Sequence, residues 1–225
     1  MSALFGMMAS DPQPGTVKPG LAAVLGAPAA AKLYRSFIMD LCERFAHLSV
    51  QSRVLAYAPR GARRTVGLLA SSHWRLVQQQ GASQGQALAG LFEHAFRLGY
   101  KRAVVMVTDC PTVPDAFIIE AFDRLLIHDV ILGPTTSGGI YAVGLSLERP
   151  ELFLGVDFGG EGVFDALVER SEAYGLILGL VPPWYDVADR AGLDLLASHL
   201  RALAVAGDDG LPKRTQMMLQ RLRLA

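Results

Sequence analysis

The chain has 225 residues, 51% of them hydrophobic and 19% charged, and its 21 Lys and Arg balance its 21 Asp and Glu. This composition excludes a disordered segment and suits a folded chain long enough to bury a sizeable core. The neutral balance gives no support to a nucleic-acid partner, and no apolar run approaches the ~20 residues that cross a bilayer, so no membrane partner is expected either.

The N-terminus MSALFGMM has no basic region ahead of its apolar residues, so residues 3–8 read as a first buried strand and not as a leader. The two cysteines, Cys42 and Cys110, lack metal spacing, and the expected setting is reducing and cytoplasmic. Residues 9–20, ASDPQPGTVKPG, read as a Pro/Gly loop. Over 28–47, Leu33, Phe37, Leu41 and Phe45 recur at four-residue steps, which predicts a helix. SRVLAYA (52–58) is a second buried strand, 62–71 a short helix and WRLVQQ (74–79) a short strand. GASQGQALAGLFEHAFRLG then combines a loop with a helix whose apolar face is Leu88, Leu91, Phe92, Ala95 and Phe96, stopped by Gly99.

AVVMVT (103–108) has no polar face to offer water, which predicts a central strand. It runs out on Asp109, Cys110 and Pro111. A helix follows over 114–126, then a strand, Gly-rich turn and strand over 129–145, a helix over 161–174, a late strand over 176–182 and a helix over 194–204. The tail from Gly207 is polar and reads as frayed as far as QMMLQRLRL. The expected organisation is one domain over 1–205 with a C-terminal extension over 206–225. Its fold class is α/β: a three-layer α/β/α sandwich around a mostly parallel sheet. In such sheets ligands bind beyond the carboxyl ends of the strands, where Asp109 stands.

Two readings of Asp109 stand side by side: a carboxylate facing a ligand cleft, or a cap for the segment that follows it. Cys110 reads as a small buried residue, with no histidine nearby in sequence to activate it. His47, His73, His94, His128 and His199 are scattered and receive no role. Trp184 and Tyr185 either stack on a base or sugar ring or anchor a loop to the core. Gly138 and Gly139 suit a tight turn between strands as well as a ligand contact.

Several stretches, in order along the chain, resemble one family. SDPQPGTVKPGL (10–21) is similar to its first loop, K-x-P-x-P-G-x-V-K-T-R-L, and AAKLYRSFIMD (30–40) to its A-x-x-L-Y-x-x-F-x-x-D. VTDCP (107–111) stands for G-S-D-C-P, ILGPTTSGGIYAVGL (131–145) for V-x-G-P-x-x-D-G-G-Y-Y-L-x-G-L, and YDVAD (185–189) for the stretch with the closing D-V-D-T. This is the glycosyltransferase-like family with the GT-A, nucleotide-diphospho-sugar transferase fold, of the type labelled for arsenosugar biosynthesis. It is distantly related to the molybdopterin-guanine and phospholactate nucleotidyltransferases.

The resemblance implies a glycosyl- or nucleotidyltransferase whose partner is a nucleotide or nucleotide-sugar. Its first loop would embrace the nucleotide through Pro14, Gly15 and Lys18, with Gly85 alongside. Asp109 and Asp186 would hold Mg²⁺ or Mn²⁺ against the diphosphate, and Ser137, Gly138 and Gly139 would line the substrate cleft. The chemistry is coherent, because a hard cation with oxygen ligands offsets the charge of a leaving diphosphate. Gly15 would let the backbone approach a phosphate, and Lys18 would supply a compact charge. Without that loop context, Lys18 reads as an ordinary solvated lysine.

The departures from the family pattern fall on the chemistry. Pro19 and Gly20 replace Thr and Arg, Ser83 and Ser137 replace Asp, and Ala188 replaces the second Asp of D-V-D-T, with Asp189 one position later. Pro14, Gly15, Gly85, Pro111, Gly133, Pro134, Gly138 and Gly139 survive. A member that keeps its loop-shaping residues and loses its polar ones has changed its substrate, dispensed with metal, or ceased catalysis. The last case describes a non-enzymatic binding or regulatory protein acting through a partner or as a homodimer.

Overall fold

In the computed structural model, residues 2–160, 162–208 and 210–224 are described. Among them, seven strands form one sheet: β1 (Ala3–Ser10), β2 (Ser52–Ala58), β3 (Arg75–Gln78), β4 (Arg102–Val107), β5 (Val130–Pro134), β6 (Ile140–Leu145) and β7 (Leu178–Leu180). The order across the sheet is β3-β2-β1-β4-β6-β5-β7. The first four are mutually parallel, β7 is parallel to β5, and β6 runs antiparallel to both β4 and β5. β4 is interior, as its unbroken apolar sequence requires.

Eight helices flank the sheet among the described residues: α1 (Pro19–Leu25), α2 (Ala27–Arg44), α3 (Arg63–Gly67), α4 (Gln84–Arg97), α5 (Asp115–Arg124), α6 (Val163–Ala173), α7 (Arg190–Ala206) and α8 (Lys213–Arg221). The strands divide their side chains between two cores with a period of two. Phe5 and Met7 of β1, and Val104 and Met106 of β4, pack with Leu33, Phe37 and Leu41 of α2. Leu4, Met8, Ala103 and Val105 point the other way, toward Leu88, Leu91 and Phe92 of α4. The result is the three-layer α/β/α arrangement.

Two elements depart from the sequence reading. The Pro/Gly loop ends in α1, with Pro19 at its start and Leu21 buried beneath it. Proline suits a first helical position, where its missing N–H would have had no partner. The tail does not stay frayed up to residue 216, because α8 begins at Lys213. The carboxylate of Asp40 on α2 accepts the backbone N–H of Arg214 at 3.1 Å and of Thr215 at 2.7 Å, and Leu219 is fully buried. A helix N-terminus leaves N–H groups without partners, and here an acceptor from another helix supplies them. For the helix expected over 161–174, residue 161 lies outside the described residues, and α6 is seen from Val163.

Candidate functional site

Parallel pairing sends the carboxyl ends of β1, β2, β3 and β4 to one edge of the sheet. A cleft of about 850 Å³ opens there. Its walls are the first loop from Thr16 to Gly20, the end of β2 with Pro59 and Arg60, Gln78 and Gln79, the 81–84 segment, and Thr108 and Asp109 on the floor.

A chain of hydrogen bonds holds the floor. The Ser10 N–H donates to the Tyr34 hydroxyl at 3.1 Å, Tyr34 Oη and Thr108 Oγ1 lie 2.8 Å apart, and Thr108 Oγ1 donates to the Met8 carbonyl at 3.1 Å. Thr108 has one proton and gives it to Met8, so Tyr34 is the donor to Thr108. Burial, reinforced by the Asp109 charge, lifts the Tyr34 phenol well above its ordinary range and keeps that donor proton in place. Tyr34 thereby ties the ends of β1 and β4 to α2. The sequence reading assigned Tyr34 no role; the available signal was a hydroxyl-tipped ring beside the apolar Leu33/Phe37 stripe. On the far side, the Gln79 amide bridges the carbonyls of Ala9 and Ala56 at 3.1 and 2.8 Å.

Lys18 is not a solvated lysine. Its side chain is 8% exposed, and its Nζ lies 2.7 Å from Asp109 Oδ1. The same ammonium donates to the Val187 carbonyl at 3.1 Å and sits 5.5 Å from the centre of the Tyr34 ring, a cation–π contact. The Lys18 backbone is left-handed, with φ 52° and ψ 58°. A non-glycine residue holds that conformation only where its surroundings over-determine it, as these tethers do. The Asp109 carboxylate therefore turns back toward the first loop. It does not cap α5, which starts after Pro114 without any side-chain cap.

The other residues singled out in the sequence fall around this pair. The Asp109 carbonyl accepts the Val187 N–H at 2.9 Å, which brings the 186–188 segment alongside the end of β4. Asp186 does not line the cleft. Its Oδ1 accepts the Ser137 hydroxyl at 2.8 Å, and Ser137 lies 2.8 Å from Thr135 Oγ1, which in turn accepts the Gly139 N–H. Ser137, Gly138 and Gly139 thus form the turn between β5 and β6, with Gly138 at φ 85°, and dock onto the segment carrying Asp186. Pro14 and the left-handed Gly15 are exposed at the tip of the first loop, away from the cleft wall.

Gly85 is buried in the first turn of α4, where an added Cβ would stand 2.3 Å from the Phe153 carbonyl oxygen. Its glycine is thus required by packing. Ser83 caps α4, accepting the Gln86 N–H while the Gln86 side chain returns to the Ser83 N–H. Asp189 caps α7 through the Gly192 N–H.

Trp184 and Tyr185 anchor their loop. Trp184 Nε1 donates to Thr112 Oγ1 at 3.2 Å, Thr112 donates to the Tyr185 hydroxyl at 2.8 Å, and Tyr185 contacts His199 Nδ1 at 2.8 Å. With Thr112 as donor, the Tyr185 proton goes to His199, which accepts it as a neutral ring. Cys110 is fully buried, and burial together with the neighbouring Asp109 and Asp186 charges pushes its thiol well above its ordinary range, so it is inert.

A divalent ion needs oxygen ligands free to face it. Asp109 already holds an ammonium, Asp186 is engaged by Ser137, and no group of three or more His, Cys, Asp and Glu suited to a metal occurs among the described residues. Each of the two carboxylates thus has its Oδ1 engaged, and only Asp109 lines the cleft.

The profile of the family described as "Uncharacterized protein conserved in bacteria (DUF2064)" matches residues 41–160, more than half of the chain. The chain belongs to this family. No curated protein matches the sequence. Among solved structures, a "putative nucleotide-diphospho-sugar transferase from Desulfovibrio desulfuricans G20" is 27% identical, with a TM-score of 0.84 over 98% of this chain and 94% of that one. The synthetase of CMP:2-keto-3-deoxy-manno-octonic acid, complexed with CTP, is 11% identical with a TM-score of 0.57, over 91% of this chain and 99% of that one. Glucosyl-3-phosphoglycerate synthase from Mycobacterium tuberculosis, in complex with Mn²⁺, UDP and glucosyl-3-phosphoglycerate, is 12% identical with a TM-score of 0.55, over 91% and 80%. The last two share the fold. The DUF2064 chain is thus built on the nucleotide-diphospho-sugar transferase fold.

Proposed function

We propose that the protein is a transferase acting on a nucleotide-linked substrate, a nucleotide-sugar or a nucleotide, bound in the cleft over Lys18 and Asp109. The observation that carries this reading is the cleft itself, at the carboxyl ends of parallel β1, β2, β3 and β4, with a buried ammonium in its wall. That is where open α/β sheets place ligands, and the volume lies in the range of small-molecule sites. Arg60 on the wall adds a second positive charge for phosphates. Two of the fold neighbours are complexes with CTP and with UDP, which supports a nucleotide as the ligand class. A cytoplasmic setting belongs to the same reading, supported by two buried free thiols.

The test is a melting-temperature screen against nucleoside mono-, di- and triphosphates and sugar nucleotides, each with EDTA, Mg²⁺ or Mn²⁺. A ligand that binds only the native state raises apparent stability by mass action. The reading expects at least one nucleoside diphosphate or sugar nucleotide to raise the melting temperature; a flat screen would sink it. A second reading, a binding protein without catalysis, draws on the hydrogen bond that engages Asp186 with Ser137. Following any ligand that binds for turnover, by chromatography of the nucleotide product, separates the two.

A further inference from the structure

We propose that the Lys18 ammonium is the resident cation of this cleft: it closes Asp109 to divalent metal, so that a nucleoside-diphosphate ligand binds with no metal ion. This rests on the cleft being a nucleotide site, and it names how that site balances charge.

The first support is how Lys18 is held. A lysine free to swing aside would leave Asp109 open to a metal. This one is tethered to three separate parts of the fold: the Asp109 carboxylate after β4, the Val187 carbonyl ahead of α7, and the Tyr34 ring on α2. Its left-handed backbone runs directly into Pro19 at the start of α1, so its Cα is fixed as well. Tyr34 is itself locked by Ser10 and Thr108.

The second support is electrostatic. A divalent ion bound to an Asp109 oxygen, at the ~2.0–2.6 Å of such bonds, would stand within a few ångströms of an ammonium 2.7 Å from that carboxylate. Two like charges that close repel, and the Lys18 side chain at 8% exposure is poorly screened although Asp109 is 37% exposed. A metal on this carboxylate would compete with the ammonium that already lies 2.7 Å from Oδ1.

The third support is the second carboxylate. Magnesium and manganese are held in such sites by one or two carboxylates, and Asp186 accepts the Ser137 hydroxyl outside the cleft wall. The cleft carries positive charge of its own. The charged side chains on the wall are Lys18, Arg60 and Asp109, a surplus of one positive charge facing a diphosphate. Two N–H groups of Lys18 are committed, to Asp109 and Val187, which leaves a third.

Two measurements on the full chain test this. The first titrates Mn²⁺ by electron paramagnetic resonance against the wild type and Asp109→Asn without nucleotide. Asparagine keeps the shape and an acceptor for Lys18, so the variant is expected to fold. The inference expects equal Mn²⁺ uptake by the two proteins. Mn²⁺ held by the wild type and lost in Asp109→Asn overturns it.

The second compares the melting-temperature rise caused by UDP and by CDP in EDTA and in Mg²⁺ or Mn²⁺. Equal rises are expected, and a rise that needs the metal overturns the inference. If neither UDP nor CDP nor any nucleotide of the wider screen acts under any condition, the nucleotide reading is what fails. The Mn²⁺ comparison then still decides whether Asp109 is closed.

Discussion

Gly20 and Ala188 touch: a Cβ added to Gly20 would stand 2.4 Å from the Ala188 carbonyl oxygen. These are two of the positions at which the sequence departs from the family pattern it resembles, one standing for an arginine and the other for an aspartate. The two departures fall on a single contact, at the rim of the cleft beside Lys18. The first turn of α1 packs directly on the backbone of the segment that carries Val187.

This contact makes Gly20→Ala a sharp test of the packing. The clash is with backbone, so relief requires α1 or the 186–189 segment to move. The expected loss is about 1–3 kcal/mol in urea unfolding, the usual range for overpacking. Gly61→Ala is the control, since nothing lies within 4 Å of its added Cβ. A neutral Gly20→Ala would mean the rim is slack.

Tyr34→Phe keeps the ring under Lys18 and removes the hydroxyl that joins Ser10 to Thr108. It leaves the Ser10 N–H without that acceptor, in a part-buried position. The expected loss is about 0.5–1.5 kcal/mol by chemical denaturation, the usual net contribution of one hydrogen bond. Hydrogen exchange at the Ser10 amide should rise in the same variant. Unchanged stability and exchange would remove Tyr34 from the framework of the floor.

Asp40→Ala should release α8. Its carboxylate is the acceptor for both Arg214 N–H and Thr215 N–H, and the residue is 7% exposed. Loss of a helix cap typically costs about 0.5–2 kcal/mol, and the full effect should appear as proteolytic cleavage near 210–214 before global unfolding. The exposed Arg214–Glu43 pair should matter less, so Glu43→Gln should change stability by no more than about 1 kcal/mol. Protease resistance in Asp40→Ala would show that Leu219 alone seats the helix.

His199 predicts a pH dependence. Burial first, and then the Arg44 charge, lower its pKa, with Asp208 opposing them in part. A histidine held neutral in the fold binds its proton more readily when unfolded. Its contribution is therefore complete above the unfolded pKa of about 6.5 and is lost as pH falls below it toward the folded value. His94 acts in the same direction, through burial and Arg97. The melting temperature should fall between about pH 7 and pH 5, and His199→Gln, which keeps an acceptor for Tyr185, should flatten that slope. An identical slope in the variant would place the titration elsewhere.

The layers of the fold were legible in the sequence because they depend on local burial pattern. The four-residue spacing of Leu33, Phe37 and Leu41 is a statement about which side of one helix meets a core, and VVMV can only be interior. From the alternation of strands and helices followed a mostly parallel sheet, and from that sheet the edge at which a ligand site belongs. Placing Asp109 at that edge needed nothing beyond the end of its own strand.

What each polar residue touches was a different matter. Lys18 reaches Val187 across 169 positions, and Asp40 reaches Thr215 across 175. Local sequence shows neither contact, so Lys18 resembled a surface lysine and the tail looked frayed. Gly85 and Ser83 illustrate the same limit: one proved to be a close approach to Phe153, the other the cap of its own helix. Periodicity reports whether a side chain faces water or core, which one element decides alone. The partner of a charge is set by how separate elements are brought together, and here the tertiary structure joined Lys18 to Asp109.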